Sequence, residues 1–310
     1  MEKENQSNSY LFVSPHKSKV FDKLASWDRP DCYIFDLQDS CPANLKDDAR
    51  NNIRTYKNQI SSLGCKVLLR CNEFNNHSEF MKDMELLELG IIDGVMLPFI
   101  QNEEDLVSLD RVLENIETEK NDVTSKIEVY PLIETIFSLS NLKKILSSSS
   151  RISGIAIGLY DLFADINVEM NSTNVGFATI TVMLAAKHAN LPFIDCPFTD
   201  VHNYAGFFKN LEKSVKNGAD AKMILHPDQI EIVNRYFSIS EEERERISSI
   251  IDRYTSGCKV SDNGKFIGPP LEKMMRQKLA RRTIKKVIPE NSIRPRVIKY
   301  GLDINSVYED

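Results

Sequence analysis

The chain is poor in histidine and has no paired-cysteine motif and no long apolar run. Each shortage removes a class of protein. Its five histidines form no H-x-x-x-H or similar cluster, so the imidazole-rich set that binds zinc is missing. The six cysteines (Cys32, Cys41, Cys65, Cys71, Cys196, Cys258) include no C-x-x-C pair and mostly fall in apolar segments. They read as reduced, buried thiols of a cytoplasmic protein. No apolar stretch approaches the ~20 residues of a membrane span. The N-terminal "MEKENQSNS" lacks the basic-then-apolar order of a signal peptide. A net charge of −6 without a long block of like charge argues against a nucleic-acid or polyanion surface. The basic stretch Arg276 to Lys286 alternates with apolar residues, as a solvated helix face does. No G-x-G-x-x-G follows any early strand, which counts against a doubly wound dinucleotide-binding sheet.

What the chain does have is a series of short, continuous apolar runs. They are "YLFV" at Tyr10, "CYIF" at Cys32, "KVLLR" at Lys66, "GVMLP" at Gly94, "IEVYPLIE" at Ile127, "GIAIG" at Gly154, "PFID" at Pro192 and "AKMIL" at Ala221. Runs without alternation are strands buried on both faces. Helix-like stretches such as "SEFMKDMELLELG" and "ATITVMLAAKHANLP" lie between them. Eight such strands alternating with helices predict a (β/α)8 TIM barrel over residues 1–235. Residues 236–310 are expected to form a helical extension and lid, with helices over Ser240 to Tyr254 and Pro270 to Lys286. Between these, "TSGCKVSDNGKFIGPP" reads as a loop.

Chemistry in such a barrel gathers at the C-terminal ends of the strands. There the sequence places Asp36, Arg70, Glu134, Asp161, Asp195 and His226. An ionised Glu134 inside the apolar "YPLIET" needs a cation or several donors. Asp161, in "IGLYDLF", reads equally well as a helix N-cap. Two carboxylates from adjacent strands, with no histidine or cysteine cluster beside them, suit a hard divalent ion, and Mg²⁺ commonly takes one or two. Asp36 and Asp39 would then receive hydrogen bonds from metal-bound waters, or cap the helix starting near Asn44. Arg70 would bind a substrate carboxylate or stabilise an enolate oxygen, or pair with Asp36. His226 is expected to be structural, and Asp195 is left open between a structural and a site role.

In order, these segments resemble the citrate lyase beta subunit family of the HpcH/HpaI aldolase superfamily. The resemblance runs through "YLFVSP", "FDLQDS", "LLRCN", "DGVMLP", "PLIET", "IGLYDLFAD", "MLAAKHANLPFID" and "ILHPDQIEIVN", from about Tyr10 to Asn234. Lys46 and Arg50 are placed as in that family's next helix, and "GKFIGPP" is similar to a later family segment. It implies a Mg²⁺-dependent homo-oligomer, trimeric or hexameric, acting on 2-oxo acids and acyl-CoA esters. By the same resemblance Glu134 and Asp161 match the metal ligands, and Arg70 matches the arginine beside the carbonyl and enolate oxygens. Asp36 and Asp39 match the acids around the metal's waters. The backbone of Gly158, Leu159 and Tyr160 matches the loop that receives the 2-oxo acid carboxylate.

Departures from the pattern bear on activity. Gln38 and Tyr160 replace glutamates, Phe99 stands where the family has a lysine, and Thr179 and Thr181 occupy arginine positions. Gly268 falls where malyl-CoA-type relatives carry a lid aspartate that acts as general acid/base. The expected function is a carbon–carbon lyase or aldolase, with Asp39, His226, Asp262 or a bound water as proton carrier. Two alternatives stand beside it: a homologue that binds an oxo acid or a protein partner without turnover, and an aldolase using free rather than CoA-linked substrates.

Overall fold

The structure, a computed structural model, describes residues 7–119, 126–253, 259–260, 266–279 and 283–284. All eight apolar runs are strands: β1 (Ser9–Val13), β2 (Cys32–Asp36), β3 (Lys66–Arg70), β4 (Gly94–Leu97), β5 (Glu128–Ile133), β6 (Ile155–Ile157), β7 (Phe193–Asp195) and β8 (Ala221–Ile224). They pair in chain order, and β1 pairs parallel with β8 to close the barrel. The fold is a (β/α)8 TIM barrel.

Strand alternation sorts the side chains into two cores. Ile34, Leu68, Met96, Leu132, Ala156 and Ile194 pack with one another inside the barrel. Phe35, Leu69, Val95, Ile133, Ile157 and Phe193 face the helices. The parity of the inner set carries on past the strand ends and decides which polar residues look inward at the rim.

Helices and turns follow the sequence with local differences. "SEFMKDMELLELG" is an α-helix over His77–Met84 that tightens to a 3-10 turn over Glu85–Leu89. Beyond the barrel, helix Glu241–Arg253 packs against helix Pro269–Leu279. The second helix is shorter than expected: Thr283–Ile284 is instead a strand pairing parallel with Ile239–Ser240. The segment expected to be a loop contains a two-stranded antiparallel ladder, Lys259–Val260 with Phe266–Ile267. Asp262 lies outside the described residues, as does the tail beyond Ile284. Five cysteines are described, all free and four of them buried. Among the described residues no helix is long and apolar enough to cross a membrane.

Candidate active site

Asp36 and Arg70 end adjacent strands and are register partners. Inward parity brings them together: Arg70 Nε donates to Asp36 Oδ1 at 2.7 Å and its terminal nitrogen to Oδ2 at 2.6 Å. The backbone N–H groups of Gln38 and Ser40 donate to the same two oxygens, each at 3.0 Å. Against the cost of burial, the Arg70 charge and these bonds hold the Asp36 carboxyl below its usual range. Asp36 therefore caps no helix. The 3-10 turn Ala43–Leu45 and the helix Lys46–Thr55 start without a side-chain cap.

Arg70 stacks over the Phe12 ring, 4.8 Å from its centroid, and reaches a third carboxylate oxygen, Asp39 Oδ2, at 3.1 Å. Although burial works against its charge, the paired acids raise the guanidinium pKa further. Asp39 stands more open. Desolvation raises its carboxyl, the charges of Asp36 and Asp161 add to that, and Arg70 opposes them.

Glu134 follows β5 and is 1% exposed. The next residue, Thr135, starts helix Ile136–Ser140 with a reciprocal cap: its hydroxyl accepts from Ser138 N–H, and Ser138 Oγ accepts from Thr135 N–H. That cap fixes the chain direction just beyond the carboxylate. Phe99 N–H donates to Glu134 Oε1 at 2.8 Å, while Oε2 is buried with no hydrogen-bond partner. Burial pushes the Glu134 carboxyl up to about 8; the Phe99 bond and the Arg70 charge act against the rise, and Asp161 and Asp39 reinforce it.

The residue that follows β6 and faces Glu134 has to be glycine. Leu132 and Ile133 register with Ala156 and Ile157, which sets Gly158 beside Glu134. A Cβ on Gly158 would lie 2.6 Å from Glu134 Oε2. Gly158 is also the N-cap of helix Leu159–Asp165, so Asp161 sits in the first turn of that helix and is not its cap. The first-turn N–H groups of Leu159, Tyr160 and Asp161 have no acceptor within the helix. The Tyr160 hydroxyl is paired with Thr199 Oγ1 at 2.7 Å.

The rim thus gathers Asp36, Asp39, Arg70, Glu134, Gly158 and Asp161 in one electrostatically coupled set. Among the described residues no group of three or more His, Cys, Asp or Glu is placed to hold a metal ion.

Two rim candidates lie elsewhere. Asp195 has the opposite parity to Ile194 and points outward. Its Oδ2 accepts from Lys222 Nζ at 2.9 Å and from the Ser214 hydroxyl. Lys222 is itself fully buried and also donates to Cys196 O at 2.7 Å. His226 is the N-cap of the turn Pro227–Gln229, with its Nδ1 accepting from Asp228 N–H.

Below the rim, Arg50 is buried and bonds Asp47, Glu79 and Asp83. Asp83 also accepts from the backbone and side-chain N–H groups of Asn72, and Lys46 reaches Asn72 Oδ1. That network locks the turn after Arg70. Gln38 is buried, and its Oε1 has no hydrogen-bond partner.

Two contributors have no signature in the sequence. One is the Phe99 backbone amide, since its hydrogen bond to Glu134 does not depend on the side chain. The other is His16, in the turn after β1. Its Nδ1 is buried without a hydrogen-bond partner. Burial and Lys17 lower its pKa, and the Asp36 charge acts against them. Here the only hint was a histidine shortly after a strand end.

A closed parallel barrel with an acid-and-arginine rim at its C-terminal face defines the class of TIM-barrel enzymes. The chain belongs to the HpcH/HpaI aldolase/citrate lyase family, whose model matches residues 8–227. By that membership it is a carbon–carbon lyase. It is 26% identical over 272 residues to citrate lyase subunit beta of Haemophilus influenzae, covering 85% of this chain and 92% of that protein. It is 25% identical over 255 residues to L-malyl-CoA/beta-methylmalyl-CoA lyase of Rhodobacter capsulatus, covering 74% and 79%. Among solved structures, RipC from Yersinia pestis superposes with a TM-score of 0.62 at 25% identity, covering 77% of this chain and 98% of that one. CitE from Mycobacterium tuberculosis, in complex with magnesium, acetoacetate and coenzyme A, superposes with a TM-score of 0.70 at 19% identity, covering 88% and 97%. At that identity CitE shares the fold.

Proposed function

We propose that this protein is a Mg²⁺-dependent lyase or aldolase that cleaves or forms the carbon–carbon bond between a 2-oxo acid and its aldol or acyl-CoA (Claisen) adduct. The observation that carries the proposal is Glu134 Oε2. It is a buried, unpartnered carboxylate oxygen in a carboxyl raised to about 8, beside the charge of Asp161. A cation there would remove the conflict, so the residues fit the ion. Glu134 and Asp161 would hold it. When bound, Mg²⁺ supplies Lewis-acid polarisation of the substrate's carboxylate and 2-oxo oxygens.

The chain's own residues do the rest. The first-turn N–H groups at Leu159 and Tyr160, opened by Gly158, receive the substrate carboxylate. Arg70, immobilised by Asp36 and Asp39, stabilises the oxygen that gains negative charge as the bond breaks. Asp39, with its raised carboxyl, and His16 are the proton carriers best placed in the field of Asp36. His226 has already committed its Nδ1 to the Asp228 amide. The relatives named for malyl-CoA cleavage and the CitE complex with magnesium and pyruvate support this substrate class.

The protein also works as a homo-oligomer in this reading. Helix Ser172–His188 has no charged residue before Lys187. Phe177, Ile180 and Leu184 form an exposed stripe along it, at 72%, 42% and 60% exposure. A helix apolar on both faces is one that is covered on both.

Isothermal titration calorimetry tests the site. Mg²⁺ with oxaloacetate or pyruvate should bind the wild type, and Glu134→Ala or Asp161→Ala should lose at least about tenfold in affinity. Unchanged affinity in both variants would refute the assignment.

A second reading, binding without turnover, draws on the unpartnered Gln38 Oε1 and on Gly268, which is buried and has no side chain to donate. Turnover of any adduct in a panel of 2-oxo acids, aldehydes and acyl-CoA esters excludes it. Thr179 and Thr181 bear on the choice between free and CoA-linked substrates. Thr179 is buried, and the Thr181 hydroxyl donates to Phe177 O, so neither offers a cation. Thermal stabilisation by oxaloacetate with Mg²⁺ but not by acyl-CoA marks the free-substrate form.

A further inference from the structure

Among the described residues, three non-glycine residues have a left-handed backbone: Asn167, Asn190 and Phe99, the last with φ of +49°. Asparagine tolerates this region because its short amide can bond locally, whereas a bulky aromatic residue there is held by its surroundings. Phe99 is held on both sides. Gln101 Nε2 donates to its carbonyl at 3.2 Å. The neighbouring Ile100 carbonyl accepts from Thr135 Oγ1 at 3.0 Å. Pro98 has no N–H, so Phe99 is the first residue after β4 able to donate. Its N–H meets Glu134 Oε1 at 2.8 Å. On the opposite side, the missing side chain of Gly158 makes room for Glu134, since a Cβ there would lie 2.6 Å from Oε2.

We propose that Phe99 is a positioning residue: its strained backbone amide pins Glu134 through Oε1 and reserves Oε2 alone for the ligand. This rests on the reading of Glu134 as a metal-binding group. The inference adds that Glu134 offers the cation one oxygen. A carboxylate gripping through both would make Oε1 serve the cation and the Phe99 N–H at once. One-oxygen binding keeps more coordination positions free for a chelating substrate. Strain at an active-site residue is here the means of aiming a donor. The phenyl ring plays no part in this, so Phe99 can differ from the family's lysine and still perform it.

The inference predicts an order of variants set by backbone tolerance and not by side-chain size. Phe99→Gly removes the ring but keeps the N–H and adopts φ of +49° freely. Its Mg²⁺ affinity in calorimetry should stay within about threefold of wild type. Phe99→Val keeps the N–H but resists the left-handed region, and should lose roughly three- to tenfold. Phe99→Pro lacks the N–H and has φ locked near −65°, and should lose at least about thirtyfold. An order that follows size, with Gly falling as far as Pro, overturns the inference and assigns the role to the ring.

A metal-free measurement guards against a Pro variant that does not fold. In ¹⁵N-phenylalanine-labelled protein, the Phe99 amide proton should exchange slowly. On Glu134→Ala, which removes the acceptor, its resonance should move upfield further than any other phenylalanine amide. No selective shift overturns the inference. A wild type that bound no Mg²⁺ would refute the proposed function, and the amide measurement would then decide the role of Phe99 alone.

Discussion

Arg70 and Asp36 are joined by two parallel hydrogen bonds, of 2.7 and 2.6 Å, between register partners on adjacent strands. The pair is buried, and all four of its outer contacts are specified: Gln38 and Ser40 N–H on the acid, Asp39 and the Phe12 ring on the base. An arginine held this way has little freedom left to lose when charge develops in front of it. Asp36→Asn should therefore cost activity more than binding. The expected result is a fall in kcat of roughly a hundredfold. A stability loss of about 2–4 kcal/mol should accompany it in denaturant unfolding, because a buried guanidinium loses its main partner. Full activity in a folded Asp36→Asn protein would show that Arg70 does not need this anchor.

Glu134 makes the metal-free protein sensitive to pH. Its folded pKa, about 8, lies above the ordinary glutamate value near 4.3. Between these values the folded state binds more protons than the unfolded state, so stability falls as pH rises from about 4.5 to 8. Glu134→Gln cannot ionise and should lose less over that interval. The difference should reach the order of a few kcal/mol by pH 8, read from urea midpoints without divalent ions. Mg²⁺ affinity of the wild type should rise over the same interval, with proton release detectable in buffers of different ionisation enthalpy.

Asp195 provides the contrast. Its carboxylate neutralises a fully buried lysine on the outer side of the barrel. Asp195→Asn should destabilise the fold by roughly 3 kcal/mol or more, since it strands the Lys222 ammonium. It should leave the Mg²⁺ affinity of the folded protein unchanged. A specific loss of metal affinity would place Asp195 in the site after all.

Helix Ser172–His188, without a charge before Lys187, predicts an association that one substitution can disrupt. Leu184→Glu introduces a charge at one end of its exposed stripe. Sedimentation should show a smaller species at equal protein concentration, with an unaltered far-UV circular dichroism spectrum. An unchanged mass would move the contact between copies to another face.

The barrel was legible because each of its strands is buried on both faces, and "CYIF", "KVLL" and "GIAI" carry no alternation to confuse them with surface strands. Asp36, Arg70 and Glu134 were legible as charges that terminate such runs. Asp195 terminates one too, and what separates it from them is a single step of parity. Lys222, a charge within "AKMIL" and the register partner of Asp195, is the one residue that would have signalled an acid on the outer side. Phe99 could not be read, because a backbone donor and a dihedral angle leave no mark in residue type. The helix expected over Pro270 to Lys286 ends at Leu279, and Thr283–Ile284 joins Ile239–Ser240. Such a long-range pairing is invisible to local periodicity.

The inner column of the barrel is packed to its floor, where Lys66, Glu128 and the Tyr130 hydroxyl hydrogen-bond one another and Tyr10 lies against the Tyr130 ring. Side chains therefore plug the barrel at the end away from Glu134 and Arg70. On the proposed function, a substrate would approach those two residues from the rim, and the tyrosine floor would act only as the stopper beneath them.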